Sequence, residues 1–364
     1  MPSNFIGLMD VSRVTTGSSN TVDSKEIGEY PFFDRSQTIK RSDKYLFDSE
    51  AIIVPGEGSD FIPRYFKGKF DLHQRAYALF PKTNIDGKYL YYAILNGKNH
   101  FSQVATGSTV KSLRLKSFEL LKIPYVDVNI QIRISTILSS IDDKIAINKQ
   151  INANLLTIAN QLYNHYFPYV IDDELPDGWK EGELGDIIDI HDSRRIPLSG
   201  KERSERAKIY PYYGAASITD YVDDYLFDGI YLLLGEDGTV VTDSGAPVLQ
   251  YVFGKFWVNN HAHILTGKNG YSVESLYLLC QRLNVDTIIT GAVQPKISQA
   301  NLKRIKIVIP PENVIKEFSG KVDSLFNILR NNTSECEKLK TLRDQLLPKL
   351  MSGEIDVSTL EIPN

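Results

Sequence analysis

The stretch ISTILSSIDDKIAINKQINANLLTIANQL, residues 134–162, decides the fold. From Ile134 its apolar residues fall at Ile137, Ile141, Ile151, Leu155, Ile158 and Leu162, in steps of three and four apart from one gap filled by Lys144 and Asn148. That spacing lines one stripe of a helix, a heptad seam. Pro124 precedes it and Pro168 closes it. A helix of about 36 residues is about 54 Å long. The chain carries a second seam of the same kind: Phe318, Leu325, Ile328, Leu339, Leu342 and Leu346. Pro310-Pro311 stands before it, Pro348 is expected to kink its last turn, and Gly353 follows as a C-cap. Two such stripes can pair antiparallel, burying both seams and holding a globular domain at each end. Alternatively, each helix packs on its own domain. The length of the seams favours the pair. Asn148 and Asn332 take equivalent seam positions, where a polar residue costs stability and sets register. Either they hydrogen-bond to each other, or each is solvated on the rim.

Outward from the seams, the chain repeats itself. Tyr30-Pro31-Phe32-Phe33 matches Tyr210-Pro211-Tyr212-Tyr213, and Tyr45-Leu46-Phe47-Asp48 matches Tyr225-Leu226-Phe227-Asp228, both at an offset of 180. Gly56-Glu57 matches Gly235-Glu236 at 179, and Phe70, Ala76 and Leu79 match Phe256, Ala262 and Leu265 at 186. Thr106-Gly107, Lys122-Ile123, Leu155 and Gln161-Leu162 recur at 184. Ordered matches with so little drift read as a whole-domain duplication, not a short-period solenoid. Within each unit, runs rich in Tyr, Phe, Val and Ile read as strands, among them Tyr89–Ile94 and Gly229–Leu234, and the Gly-Lys-Asn runs at 97–99 and 267–269 read as turns. The fold class is therefore α+β: two similar globular domains, 1–128 and 169–310, and two long antiparallel helices, 129–168 and 311–353, forming a coiled coil with an internal pseudo-twofold repeat. A tail occupies 354–364.

Composition narrows the function. The 364 residues are 42% hydrophobic and 24% charged, as in an ordinary folded chain of two or more domains. No aliphatic run is long enough to span a bilayer, and Met1-Pro2-Ser3-Asn4-Phe5 does not open a signal peptide. Two cysteines, Cys280 and Cys336, make neither a disulfide framework nor a cysteine zinc site, so a reducing cytoplasm is the simplest home. Net charge is −4 and no region is polybasic. Any nucleic-acid binding must use local patches, or a partner must supply part of the phosphate neutralisation.

Catalytic signatures are missing. There is no Gly-x-x-x-x-Gly-Lys-Ser/Thr loop; Gly56-Glu57-Gly58 starts a dinucleotide fingerprint that fails at Phe61; no Asn-Pro-Pro-Phe/Tyr sequence occurs. Asp86-Gly87-Lys88 falls in a predicted turn without an acidic partner. His261-Ala262-His263 puts two imidazoles on one face of a strand with no third ligand evident, so a structural or DNA-facing role is preferred to metal. The chain is read as non-catalytic. What remains is polar loop chemistry. Candidate DNA contacts in the first unit are Arg35, Lys40, Arg41, Lys44, Arg64, Lys67, Gln74, Arg75, Lys98, Asn99 and Lys111. In the second they are Ser193, Arg194, Arg195, Lys201, Arg203, Asn259, Asn260, His261, Gln294 and Lys296. Arg reads guanine and Asn or Gln reads adenine, while Lys and Ser mainly position phosphates. Each cluster alone also reads as a solvated face. Corresponding places with differing identities are what an asymmetric two-part DNA site requires.

These residues resemble a known family. Ser139-Ser140-Ile141-Asp142-Asp143-Lys144-Ile145, Asn148 and Ala159-Asn160-Gln161-Leu162-Tyr163 are similar to the central region of the specificity subunit of type I restriction–modification systems. Pro176-Asp177-Gly178-Trp179 with Leu184-Gly185-Asp186-Ile187 resembles the start of its second target-recognition domain, and Leu342–Ile355 its C-terminal ending. The first unit lacks the Gly-Trp opening. The resemblance implies two target-recognition domains, each reading half of a split double-stranded DNA site. The helices would set the gap and dock two methyltransferase subunits, with restriction subunits joining through the complex. S-adenosylmethionine, ATP and Mg would belong to those partners, with no cofactor on this chain. The Gly-containing loops Thr106–Lys111 and Thr290–Lys296 would lie near DNA or the domain–helix junction, or serve as structural turns. A helical adaptor bridging protein partners without sequence readout is the alternative.

Overall fold

The structure, a computed structural model, describes residues 4–291 and 293–360. Met1, Pro2, Ser3, the loop residue Ala292 and the last four residues of the tail lie outside this description. The chain forms two compact units. One contains the chain up to Ile147 and from Glu335 onward; the other is Asn148–Ser334.

Among the described residues the first unit has eight strands: β1 (Phe5–Gly7), β2 (Ser12–Thr16), β3 (Tyr30–Phe33), β4 (Lys40–Ser42), β5 (Phe47–Pro55), β6 (Arg64–Leu72), β7 (Ala76–Pro81) and β8 (Lys122–Pro124). Six make a sheet in the order β2-β7-β5-β6-β3-β4, and β1 pairs with β8. The second unit has β9 (Lys180–Glu183), β10 (Ile188–Ile190), β11 (Tyr210–Tyr213), β12 (Ile218–Val222), β13 (Phe227–Gly235), β14 (Leu249–Val258), β15 (Ala262–Gly267) and β16 (Lys306–Ile309). Its sheet runs β10-β15-β13-β14-β11-β12, and β16 pairs with β9. Strand for strand the two orders agree, including one parallel pair in each, β3 with β6 and β11 with β14. The duplication legible in the sequence is a duplication of topology.

Alternation explains why the central strands are apolar at nearly every position. Successive side chains of a strand face opposite sides. Ile52 and Val54 enter one cluster with Leu79, while Ala51 and Ile53 enter another with Phe70 and Phe80. In the second unit Leu232 and Leu234 face one side and Leu233 the other. One expected strand is a helix. Tyr89–Ile94 lies within the helix Gly87–Asn96, capped by Asp86, whose Oδ1 accepts the Tyr89 N–H at 2.7 Å. Tyr89, Leu90, Tyr92, Ala93 and Ile94 are all buried in the first core. Aromatic and β-branched content pointed to a strand, and the cap with packing on the sheet overrode it. Gly97-Lys98-Asn99 likewise leads straight into a further helix, Lys98–Val104.

The two long helices are Val128–Tyr166, the central helix, and Glu312–Met351, the terminal helix. The terminal helix runs on through Pro348, and Gly353 follows with φ +69, the left-handed conformation of a helix C-cap. In the first unit Ile134 and Leu138 share the core with Leu347, Leu350, Met351 and Val357 of the tail. Next to them Ile141 and Ile145 pack on Cys336. Arg343 Nη1 donates to Asp142 Oδ1, and Tyr92 Oη to Asp142 Oδ2, each at 2.7 Å. In the second unit Ile315, Phe318, Val322 and Phe326 share the core with Ala159. Phe318 meets Tyr163 and Phe167 edge-on, with centroids 5.7 and 4.7 Å away. Within each unit later residues of one helix meet earlier residues of the other, so the pairing is antiparallel. Each helix therefore meets its partner and also a sheet domain.

The seam lies one residue away from part of its expected path. On the central helix it runs Ile134, Leu138, Ile141, Ile145, Asn148, Asn152 and Ala159; Ile151 and Ile158 are exposed, as are Ile328 and Leu342 of the terminal helix. Counting only large apolar residues slides past Asn152 to its neighbour Ile151 and past the small Ala159 to Ile158. Asn148 is buried, and Asn332 Nδ2 donates to Asn152 Oδ1 at 2.9 Å, one turn beyond Asn148. Asn152 Nδ2 in turn donates to Leu329 O and Thr333 Oγ1. Both tryptophans, Trp179 and Trp257, belong to the second unit, so their fluorescence follows its unfolding. Phe318→Ala is expected to destabilise that unit by about 3–5 kcal/mol, read as a lower urea midpoint of tryptophan emission.

Candidate nucleic-acid interface

In each unit three segments meet at one end of the longest strands and are tied by the same main-chain bonds. Gly56 N–H, just after β5, donates to Arg75 O at 2.9 Å, and Glu236 N–H donates to His261 O at 2.8 Å. Gly58 N–H donates to Lys111 O at 3.0 Å, and Gly238 N–H to Pro295 O at 2.9 Å. Thr106 and Ser112 exchange two bonds, as do Thr290 and Lys296. The β6–β7 turn is closed by His73 Nδ1 accepting Arg75 N–H at 3.0 Å, and the β14–β15 turn by Asn259 Oδ1 accepting His261 N–H at 2.8 Å. These bonds correct one repeat match: Gly56 corresponds to Glu236 and Glu57 to Asp237, so the offset there is 180 and not 179. Gly107 and Gly291 have φ +122 and +89. A Cβ on either would come within 2.2 or 2.3 Å of a backbone oxygen, so both loops require glycine.

On this shared frame the side chains differ. In the first unit Glu57 lies between two guanidiniums: Arg75 Nη1 donates to Oε1 at 2.7 Å and Arg35 Nη1 to Oε2 at 3.0 Å. Gln74, Arg75, Tyr77 and Arg114 line a polar cleft of about 220 Å³ beside it. In the second unit Asp237 takes the Nδ1 of His261. Tyr77 Oη donates to Leu113 O at 3.2 Å, and its counterpart His263 places Nε2 2.8 Å from Ile297 O, one bond kept by two side chains.

Beneath the second frame lies a buried charge cluster. His263 Nδ1 is 2.6 Å from Asp192 Oδ2, which also accepts from Gln299 Nε2 at 2.6 Å. Arg195 spans the acids, with Nη1 on Glu236 Oε2 and Nη2 3.4 Å from Asp192 Oδ2, and Lys296 Nζ approaches Glu236 Oε1 at 3.2 Å. Burial drives the Asp192 carboxyl up, but His263, the Ile264 N–H and Arg195 outweigh it and hold it below the usual range. Asp192, Glu236 and His263 put three ligand-type atoms within 4.8 Å. Arg195 already supplies the positive charge there, so the arrangement is a salt-bridge network. His261 and His263, expected on one face, serve two different acids.

The expected DNA contacts divide by what their donors already hold. Arg195 is the clearest correction, with a side chain only 13% exposed and bonds to Asp192 O, Glu236 and Ala262 O. Arg41 holds Gly28 O and Glu29 O. Arg64 holds Ser36 O and Gln37, Lys40 pairs with Asp34, and Lys44 with Asp23. Arg203 is shared between Asp220 and Leu198 O, Arg194 lies over the Phe227 ring and reaches Leu226 O, and Lys111 reaches Ser102 O. Lys208 and the Tyr221 N–H hold the Asp220 carboxyl down at about 2. Asn259 serves the turn, and Gln74 donates to Asn20. Among the described residues the side chains of Lys67, Lys98, Asn99, Ser193, Lys201, Asn260 and Gln294 make no such bond, and all but Lys98 are exposed. The sequence reading passed over Glu57, Asp237 and Arg114. Acids are not sought in a DNA surface, and only the pairing across 18 and 24 residues reveals the first two.

Comparison with known proteins agrees with this twofold frame. The family model described as the type I restriction modification DNA specificity domain matches residues 4–157 and again 176–341. The chain belongs to that family. As a member it is a DNA-specificity subunit and not itself a catalyst. It is 25% identical to the type I restriction enzyme MjaIX specificity subunit of Methanocaldococcus jannaschii, over 91% of this chain and 85% of that one. It is 33% identical to a putative type I specificity subunit of Haemophilus influenzae, over 40% of this chain and 37% of that one. The crystal structure of a type I restriction-modification S subunit from M. genitalium shares its fold, with a TM-score of 0.64 at 20% identity over 96% of each chain. No helix among the described residues is long and apolar enough to cross a membrane.

The division of donors makes a contrast for this family member. Arg195→Ala leaves Glu236 and Asp192 buried without their guanidinium and is expected to cost about 3 kcal/mol of second-unit stability, seen in the urea midpoint. Lys201→Ala is expected to leave that midpoint unchanged and to weaken DNA binding alike on all sequences, lowering the slope of log affinity against log salt by about one. Acidification through the Asp192 titration removes its carboxylate, so second-unit stability that is complete above pH 4 is expected to fall below it. Asp192→Asn should flatten that acid limb in a pH series of melts.

Proposed function

We propose that each repeat reads one half of a bipartite, asymmetric double-stranded DNA site. In this reading the helix pair sets the gap between the halves and docks two methyltransferase subunits, and restriction subunits join through them. S-adenosylmethionine, ATP and Mg sit on those partners and none on this chain, and the complex works in the cytoplasm. The observation that carries the reading is the frame built twice with unlike side chains. Identical frames bearing identical readers would select a symmetric site. Glu57 between two arginines in one and Asp237 with a histidine in the other select unlike halves. Lys67, Lys98 and Lys201, unpaired among the described residues, are suited to phosphates. The net charge of −4 fits a subunit whose partners share in neutralising the duplex.

The test is selection from a randomised duplex pool by the full chain, with and without its methyltransferase partner. The expected result is a split motif of two unlike halves at fixed separation. Retention without any motif, with or without the partner, favours an adaptor that binds proteins instead. Inserting about one helical turn, roughly four residues, into both long helices is expected to lengthen the selected gap; an unchanged gap would show that the helices are not the ruler.

A further inference from the structure

We infer that Glu57 and Asp237, acids at the same point of the two frames, are specificity-determining positioning residues. Each holds the side chain that reads its half-site: Arg75 with Arg35 in the first repeat, His261 in the second. This rests on the bipartite reading above and names the atoms that perform it.

A carboxylate in a surface that must approach phosphates works against affinity, because like charges repel. Yet the frame carries one in both repeats. Around it the neighbours change class, Gly56 to Glu236 and Tyr77 to His263, while the acid and its basic partner persist at corresponding positions. Exposure shows which member is the anchor. The Glu57 side chain is 14% exposed, whereas Arg75 and Arg35 are 56% and 60% exposed. Asp237 is 15% exposed and His261 43%. The acid is the inner, fixed group and the base the outer, presented one.

Both guanidiniums give Glu57 only Nη1. Among the described residues Nε and Nη2 of each make no bond, so each keeps a two-donor edge of the kind that fits guanine O6 and N7. Anchoring one nitrogen beforehand removes rotamer freedom that would otherwise be lost on binding. In the second repeat Asp237 holds Nδ1 and leaves Nε2 as a single reading atom. One hydrogen bond discriminates less sharply than two, so the first half-site is the stricter at this position.

The sign of two effects separates this role from an ordinary surface ion pair. Take the full chain with its methyltransferase partner and the randomised duplex pool, and sequence what is retained. Glu57→Gln keeps the shape and removes the charge. It is expected to lower base preference in the first half-site roughly tenfold, to leave the second half-site unchanged, and to hold or raise retention of non-cognate duplex. Asp237→Asn should do the converse for the second half. Arg75→Lys retains the charge and loses the forked edge, so it should relax the first half-site with non-cognate retention intact. An unchanged motif in Glu57→Gln and Arg75→Lys overturns the inference, and so does equal loss in both halves. If the wild type selects no split motif, the bipartite reading itself fails. A wild-type motif with indifferent variants sinks only the positioning role.

Discussion

The burial of both long helices into each sheet domain is the constraint on which the rest of the molecule depends. Ile134 and Leu138 of the central helix complete the first core only together with Leu347, Leu350 and Met351, which follow more than two hundred residues later. Ala159 completes the second core with Ile315, Phe318 and Val322. A buried leucine side chain contributes roughly 1.5–3 kcal/mol, so three or four such residues are comparable to the whole net stability of a domain. For this reason the first unit is discontinuous, closing with residues from Glu335 onward, while the second is the unbroken stretch Asn148–Ser334. Boundaries drawn along the sequence, with a domain and then a helix, follow chain order, whereas each compact unit draws on part of both helices.

That arrangement leaves the loops at the ends of β5 and β13 with a single core anchor each, Phe61 and Val240. Their main chain is fixed by repeated bonds to the neighbouring loops, which turn on Gly107 and Gly291. A rigid backbone with unconstrained side chains is the condition under which readout can change without refolding. The second repeat has used it differently from the first. A charged cluster of Asp192, Arg195, Glu236 and His263 stands where the first has Tyr77 and Gly56, and the bond to the neighbouring loop carbonyl survives the exchange. Much of the positive charge counted as available for DNA is consumed in such networks. Arginine count is therefore a poor guide to a DNA surface; unpaired donor edges are a better one.

Much of this was legible in residue order. The offset near 180 and the polar triplets His73-Gln74-Arg75 and Asn259-Asn260-His261 are readable in one dimension, and the structure superposes those triplets bond for bond. Tyr89–Ile94 was misread because strand-like composition says nothing of the cap at Asp86 or the sheet waiting for that face. The seam was misread at Ile151 and Ile158 because apolar counting cannot see that Asn152 is satisfied across the pair. Arg195 was misassigned because a buried guanidinium and a presented one are the same letter.

Taken alone, the sequence determined what is periodic or repeated: two α+β units, two long amphipathic helices, glycine-containing loops at matching places, and the absence of catalytic signatures. Those follow from local spacing, which a linear string preserves. Tertiary structure decided which side of each helix is the seam, which end of the chain finishes which core, and which of the basic residues still have donors to offer. These depend on contacts between residues far apart in sequence, as in Arg75 with Glu57 or Arg195 with Glu236. A hydrogen bond is a matter of where its partner lies, and spacing along the chain does not contain that.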